Sequence, residues 1–169
     1  EVMEAYLRGL ERRVEKGYSI RHLASVASFF VSRIDSAVDS KLEAIAGAGG
    51  TQAERAEALM GSIAVTSAQL AYAQFKSVFE GERFKRLKDK GARVQRPLWA
   101  STSTKNPAYP DTMYVDSLIG PDTVTTLPPE TLEAFSDHGK AERTLDSQEL
   151  SSLRMQLEAL SFLGISLDE

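Results

Sequence analysis

Apolar side chains recur with a helical period along much of the chain. In the first segment, four of them share one face of a helix over residues 1–16: Met3, Leu7, Leu10 and Val14. Gly17 is expected to end that helix. Another helix is predicted to begin after a cap at Asp35 or Ser36. The same spacing predicts further helices over residues 53–79, 82–90, 129–137 and 147–163.

Three short stretches carry apolar residues at successive positions, which is typical of strands covered on both faces. They are residues 23–31, 94–102 and 123–127. Because these strands alternate with helices, the sequence predicts an α/β fold with a parallel sheet. A parallel sheet of three strands leaves two edges exposed, which proteins normally avoid. The chain could supply about three of the eight units of a (β/α)8 barrel, which needs ~250 residues.

Both ends of the chain are expected to continue into further structure. The first helical stripe begins without a Ser, Thr, Asp or Asn residue that could cap its free N–H groups. At the other end, Ser166 and Glu169 have the spacing of a capping box, which predicts a helix beyond them. We therefore expect residues 1–169 to be a single domain, a portion of a barrel truncated at both ends.

Composition and charge narrow the function classes. Lys and Arg number 20 against 24 Asp and Glu, and the net charge of −4 argues against a nucleic-acid-binding domain. The chain has no cysteine and only two histidines, which excludes disulfides, thiolate sites and multi-histidine metal sites. No apolar run is long enough to span a membrane, and no signal peptide opens the sequence. We expect a cytoplasmic protein with no membrane or nucleic-acid partner, no metal and no cofactor.

Hydroxyl and cationic side chains follow two of the predicted strands. Ser28 and Arg33 lie at the end of the first strand, and Ser101 and Lys105 lie at the end of the second. Function gathers at these ends of parallel strands. Phosphate is bound by charge-assisted donors, to which the planar fork of Arg is well suited. Together, the four side chains predict a phosphate-binding cradle.

Each of these residues also has an ordinary structural interpretation. Arg33 could pair with Asp35 or with a neighbouring helix, and Lys105 could be a solvated loop residue. The two serines could donate to the local backbone. Lys105 could instead form a Schiff base with a carbonyl substrate, but its loop is polar and wet.

Two longer motifs resemble a known family. The segment SVASFFVSRID, residues 25–35, resembles the sixth-strand motif of transaldolases. The segment RPLWASTSTKNPAY, residues 96–109, resembles the seventh-strand motif of the longer bacterial transaldolases, with Ser103 where glycine is usual. Residues 111–115 and 123–128 resemble the segments that lead into and form the eighth strand. The chain is thus identified as a C-terminal portion of a transaldolase.

The resemblance implies a partial (β/α)8 TIM barrel that holds about strands six to eight with their helices. It also implies a transferase of the pentose phosphate pathway, which moves a dihydroxyacetone unit between ketose and aldose phosphates through a Schiff base on lysine. By position, Ser28 and Phe30 would line the pocket and Arg33 would bind the substrate phosphate. Ser101 and Lys105 would add to that phosphate site. The family's Schiff-base lysine lies on the fourth strand, so the resemblance assigns no catalytic residue to this chain.

Two other hypotheses stay open. The chain could be a catalytically inactive half-barrel that self-associates through its exposed sheet edges, in place of a missing N-terminal half. It could also be a different Schiff-base aldolase that uses Lys105.

Overall fold

A computed structural model describes residues 1–167. Three strands form one parallel sheet in the order β1-β2-β3, with bounds Ser25–Phe30, Gln95–Ala100 and Val124–Thr125. β1 pairs with β2 along its whole length, whereas β3 pairs only opposite Leu98 and Trp99. The predicted class and the parallel sheet are confirmed, although each strand is shorter than predicted. The predicted capping box at 166–169 includes residues 168 and 169, which lie outside the described residues.

Helices flank each strand along the chain. They are α1 (Val2–Glu15), α2 (Val31–Ala48), α3 (Ala53–Leu59), α4 (Ile63–Phe79), α5 (Glu82–Lys88), α6 (Met113–Asp116), α7 (Pro129–His138) and α8 (Leu150–Phe162). An open parallel sheet with this alternation is consistent with a partial barrel. Over residues 1–167, the helices are too short or too polar to cross a membrane.

The two faces of the sheet differ in what covers them. On one face Trp99 is fully buried, and Phe29 meets it edge to face with the ring centroids 5.8 Å apart. On the other face Val26 and Phe30 are 41% and 47% exposed. The prediction that the first strand is covered on both faces is therefore wrong for these residues. Its even-numbered side chains lie on an open side, which a closed barrel would turn inward.

Two apolar clusters fix the helices. The larger one packs α1, α4 and α5 against the covered face of the sheet, around Trp99, Tyr72 and Phe84. The second joins α2, α3, α4 and α8, with Leu42 and Ile63 fully buried. Burying one large apolar side chain contributes about 1.5–3 kcal/mol, so α2 is firmly held where it leaves the sheet.

The predicted helix over residues 53–79 is broken into α3 and α4. The break is at Gly61, whose φ of +66° is a left-handed conformation that suits glycine. The Gly61 N–H donates to Asp39 Oδ1 at 3.1 Å. The helical period of the sequence continues across this point, which is why it did not reveal the break.

Helix α2 begins at Val31, directly after β1, so the predicted cap at Asp35 or Ser36 is wrong. Asp35 is buried inside the helix, where its carboxylate accepts from the Ala64 N–H at 2.7 Å and the Tyr114 hydroxyl at 2.8 Å. Ser36 donates to the Ser32 carbonyl at 2.9 Å. Because the helix starts earlier than predicted, Arg33 lies in its first turn.

Candidate functional site

The candidate site lies where β1 and β2 end. β1 ends at Phe30 and α2 begins at the next residue, which places Arg33 beside the strand end. β2 ends at Ala100, and Ser101 has a φ of +53° that turns the chain out of the sheet. The Ser32 N–H donates to the Ser101 carbonyl at 3.0 Å. This bond joins the two strand ends one residue away from Arg33.

A cavity of about 440 Å³ opens beside the end of β1. Ser28, Phe30 and Arg33 line it, and Ile165 and Leu167 form part of its wall. Three of the predicted site residues therefore share one cavity. Its volume falls in the range of about 300–1,000 Å³ that is usual for small-molecule sites.

The Arg33 guanidinium is exposed and restrained by Phe30. Its central carbon lies 4.5 Å from the centroid of the Phe30 ring, which is a cation–π contact. The pairing with Asp35 that the sequence left open does not form, because Asp35 is bonded to Ala64 and Tyr114. Within the described residues Arg33 forms no ion pair. Its N–H groups can therefore turn to an anion.

The two serine hydroxyls are also available to a ligand. Ser28 lies on the open face of β1, on the same side as Phe30, and lines the cavity. Ser101 is not among the lining residues and joins the site through its backbone carbonyl. Over residues 1–167, neither hydroxyl forms a hydrogen bond, so the backbone bonding considered for both does not occur there.

Lys105 lies apart from this cavity. It sits on the loop of residues 101–112, which connects β2 to α6, and its Nζ donates to Ser103 Oγ at 2.8 Å. The side chain is exposed, as in the solvated interpretation. A Schiff-base lysine needs a drier setting than this polar loop. The structure thus brings Ser28, Phe30 and Arg33 together, attaches Ser101 through the backbone and leaves Lys105 separate.

The sequence reasoning missed a group of four side chains behind the site, namely Asp35, Asp39, Tyr109 and Tyr114. Asp35 and Asp39 are only 2% and 7% exposed. Burial raises the pKa of the Asp35 carboxyl, and burial together with the Asp35 charge raises the pKa of Tyr114. One signal was present: the two acids share a helix face with the buried Val38 and Leu42.

His138 connects α7 to the 101–112 loop. His138 at the end of α7 bonds Asp111 Oδ1 at 2.9 Å and Asp137 Oδ2 at 3.1 Å. The Asp111 carboxylate, and then that of Asp137, raise the pKa of His138. In the part of the chain that the structure describes, no three His, Asp or Glu side chains are grouped so that they could hold a metal ion.

The sequence of this chain is similar to that of one protein family and of several known proteins. The family described as transaldolase/fructose-6-phosphate aldolase matches residues 1–169. A transaldolase of Mycolicibacterium smegmatis is 46% identical over 168 residues, which are 99% of this chain and 44% of that protein. A transaldolase of Mycolicibacterium paratuberculosis is 53% identical over 139 residues, 82% of this chain and 36% of that protein. Transaldolase 1 of Streptomyces avermitilis is 48% identical over 169 residues, 100% of this chain and 43% of that protein. The chain spans less than half the length of these relatives.

Proposed function

The chain belongs to the transaldolase/fructose-6-phosphate aldolase family, and we propose that it supplies the phosphate-binding end of a transaldolase barrel. In this proposal β1, β2 and β3 are strands six, seven and eight of the barrel. The complete enzyme transfers a dihydroxyacetone unit between sugar phosphates of the pentose phosphate pathway. The transfer proceeds through a Schiff base on a lysine that lies outside these residues.

The observation that carries the proposal is the exposed Arg33 guanidinium in the cavity that Ser28 and Phe30 also line. A phosphate has several acceptor oxygens, and two of them can take parallel N–H donors from one guanidinium. The Ser28 hydroxyl can donate to a third oxygen or to a sugar hydroxyl. Phe30 holds the guanidinium in place before the ligand arrives, which lowers the ordering cost of binding.

Ser101 and Lys105 extend the proposed site from the second strand end. The Ser101 hydroxyl is free within residues 1–167 and lies in the residue whose carbonyl holds Ser32. Lys105 would add a second positive charge, but only if its loop turns the side chain from Ser103 towards the phosphate. Arg33 is therefore expected to contribute more to phosphate affinity than Lys105.

The test replaces Arg33 in the complete enzyme that carries these residues. Arg33→Ala should raise the KM for fructose 6-phosphate by about tenfold or more, because a hydrogen bond to a charged group is worth about 1.5–3 kcal/mol. Arg33→Lys should recover part of the loss, since it restores the charge without the fork.

The matched control is Arg86→Ala. Arg86 is an exposed arginine of α5, a helix that packs on the covered face of the sheet, away from the cavity. The KM of this variant for fructose 6-phosphate should stay close to that of the unchanged enzyme. An unchanged KM in Arg33→Ala would refute the assigned role, and so would an equal rise in Arg86→Ala.

One observation favours a second proposal, self-association of this chain as a catalytically inactive half-barrel. Among the described residues β1 has one unpaired edge, and Val26 and Phe30 are exposed on its open face. Strand edges of this kind pair readily with another copy. Light scattering of the 169-residue chain should then give a dimer mass that Val26→Lys reduces to a monomer. A monomer at every concentration would contradict this proposal.

A further inference from the structure

Asp39 joins three parts of the molecule through one carboxylate. It projects from α2 and is nearly fully buried. Its Oδ1 accepts from the Gly61 N–H at 3.1 Å, and its Oδ2 accepts from the Tyr109 hydroxyl at 2.8 Å. Both oxygens are thus engaged, one by the α3–α4 break and one by the 101–112 loop.

The Tyr109 ring is seated as firmly as its hydroxyl. A Cβ atom added at Gly61 would lie 2.8 Å from the ring, so the ring rests directly on the glycine. Only a residue without a side chain leaves room for this approach. Tyr109 is therefore fixed by both its ring and its hydroxyl against elements that do not belong to its own loop.

The loop between Lys105 and Tyr109 is closed by bonds of its own. The Tyr109 N–H donates to the Asn106 carbonyl at 3.1 Å, and the Ala108 N–H donates to Asn106 Oδ1 at 2.9 Å. Thr104 Oγ1 donates to the Pro110 carbonyl at 2.9 Å. Because these bonds span the segment on both sides of Lys105, the position of Tyr109 constrains the position of Lys105.

Asp39 and Arg33 are carried by the same helix. The bond between Asp39 and Tyr109 therefore links the first predicted phosphate-binding strand end to the second. We propose that Tyr109 is a positioning residue, whose bond to Asp39 sets where the 101–112 loop and Lys105 lie relative to Arg33. The role of Tyr109 in binding rests on the proposed phosphate site. The bond between Tyr109 and Asp39, called the tether below, does not depend on that proposal.

The tether is tested on the 169-residue chain by amide hydrogen exchange. Tyr109→Phe keeps the ring and removes only the hydroxyl, so the protein should still fold. Exchange of the protected amides in residues 101–112 should rise by about tenfold, the effect of losing one hydrogen bond to a charged acceptor. Exchange of the amides of residues 35–38, which lie within α2 and do not bond to that loop, should not change. Tyr18→Phe is the control, because Tyr18 is an exposed tyrosine on the surface.

The role is tested by a double-mutant cycle in the complete enzyme. Tyr109→Phe should raise the KM for fructose 6-phosphate by about threefold to tenfold with little change in kcat, because poorer placement of Lys105 weakens binding in the ground state and the transition state alike. The double variant of Tyr109→Phe with Lys105→Ala should be no worse than Lys105→Ala alone. Asp39→Asn keeps an acceptor for the tyrosine, so its KM for fructose 6-phosphate should rise less than that of Asp39→Ala.

The outcomes separate this inference from the proposed function. Unchanged exchange of the loop in Tyr109→Phe overturns the tether, and simple additivity with Lys105→Ala overturns its action through Lys105. Failure of the proposed function would be recognised by a different result, an unchanged KM for fructose 6-phosphate in Arg33→Ala. In that case the exchange result still decides whether Tyr109 holds the loop.

Discussion

The ends of β1 and β2 carry the two halves of the predicted site, yet they are held by different means. After β1 the chain enters α2 at once, and Arg33 takes its place from the backbone of a helix that is packed on the core. After β2 the chain runs through the 101–112 loop, which side chains attach to other elements. Tyr109 reaches α2 and Asp111 reaches α7.

Residues placed by the backbone and residues placed by side-chain bonds respond differently to substitution. A helix turn that follows a strand directly is held by the packing of the whole helix, whereas a single substitution can remove a side-chain bond on its own. We therefore expect substitutions in the tethers to loosen the second strand end while the first stays intact.

The largest effect is expected from removal of Asp35. Asp35→Ala leaves the Ala64 N–H and the Tyr114 hydroxyl buried without their partner. Each such group costs about 1–3 kcal/mol, so urea unfolding should show a loss of about 2–4 kcal/mol. Asp89→Ala, which removes an exposed acid, should change stability little. An equally small effect at Asp35 would show that the network is not needed to attach α6.

The pH dependence of Asp35→Asn has a definite sign. Because burial raises the pKa of Asp35 in the folded protein, its contribution to stability is fully present below its unfolded pKa of about 3.9 and is lost as pH rises through the folded value. The neutral asparagine has no such dependence. Asp35→Asn should therefore cost more free energy of unfolding at pH 4 than at pH 7.

A smaller loss is expected from Gly61→Ala. The φ of +66° strains any other residue, and the new methyl group would push the Tyr109 ring away. Together these should cost about 2 kcal/mol and raise hydrogen exchange in the 101–112 loop. Gly47→Ala is the matched control in α2, where nothing lies within 4 Å of the new atom. It should raise the melting temperature, since alanine favours a helix. Equal loosening near Arg33 in Gly61→Ala would end the contrast between the strand ends.

The smallest effect is expected at His138, and it depends on pH. Because carboxylates raise the pKa of His138, the bond to Asp111 stabilises the loop fully below the unfolded pKa and is lost as pH rises through the folded one. His138→Gln should speed exchange near Asp111 at pH 5.5 and leave it unchanged at pH 9. The control His22→Gln changes the other histidine, which is exposed, and should leave exchange near Asp111 unchanged at both pH values. The same effect at both pH values would contradict a role for the charge.

The backbone-held end was the easier one to predict from the sequence. Arg33 follows an apolar strand closely, so its short distance along the chain from Ser28 and Phe30 was enough to predict that the three residues lie together. The helix boundary was nevertheless wrong, because Asp35 looks like a cap in the sequence. Its burial depends on Tyr114, which is distant in the chain, and no local pattern shows such a pair.

The side-chain-held end could be predicted only in part. The lack of periodicity in 103–114 identified a loop, and the position of Lys105 after the second strand identified it as a candidate before the resemblance to the seventh-strand motif did. The partners of Tyr109 lie on α2 and at the α3–α4 break, and local sequence does not specify such distant contacts. Gly61 was the visible signal, but a single glycine in a helical pattern is usually tolerated.

The buried position of Trp99 makes the chain its own optical probe. It is the single tryptophan of the sequence, fully buried on the central strand, and its Nε1–H has no partner among the described residues. Such an indole emits at shorter wavelength than one in water. The emission should therefore shift to the red when β1 and β3 separate from β2, and should stay in place when only the loop opens. A fluorimeter can thus sort variants that loosen the 101–112 loop from variants that melt the sheet.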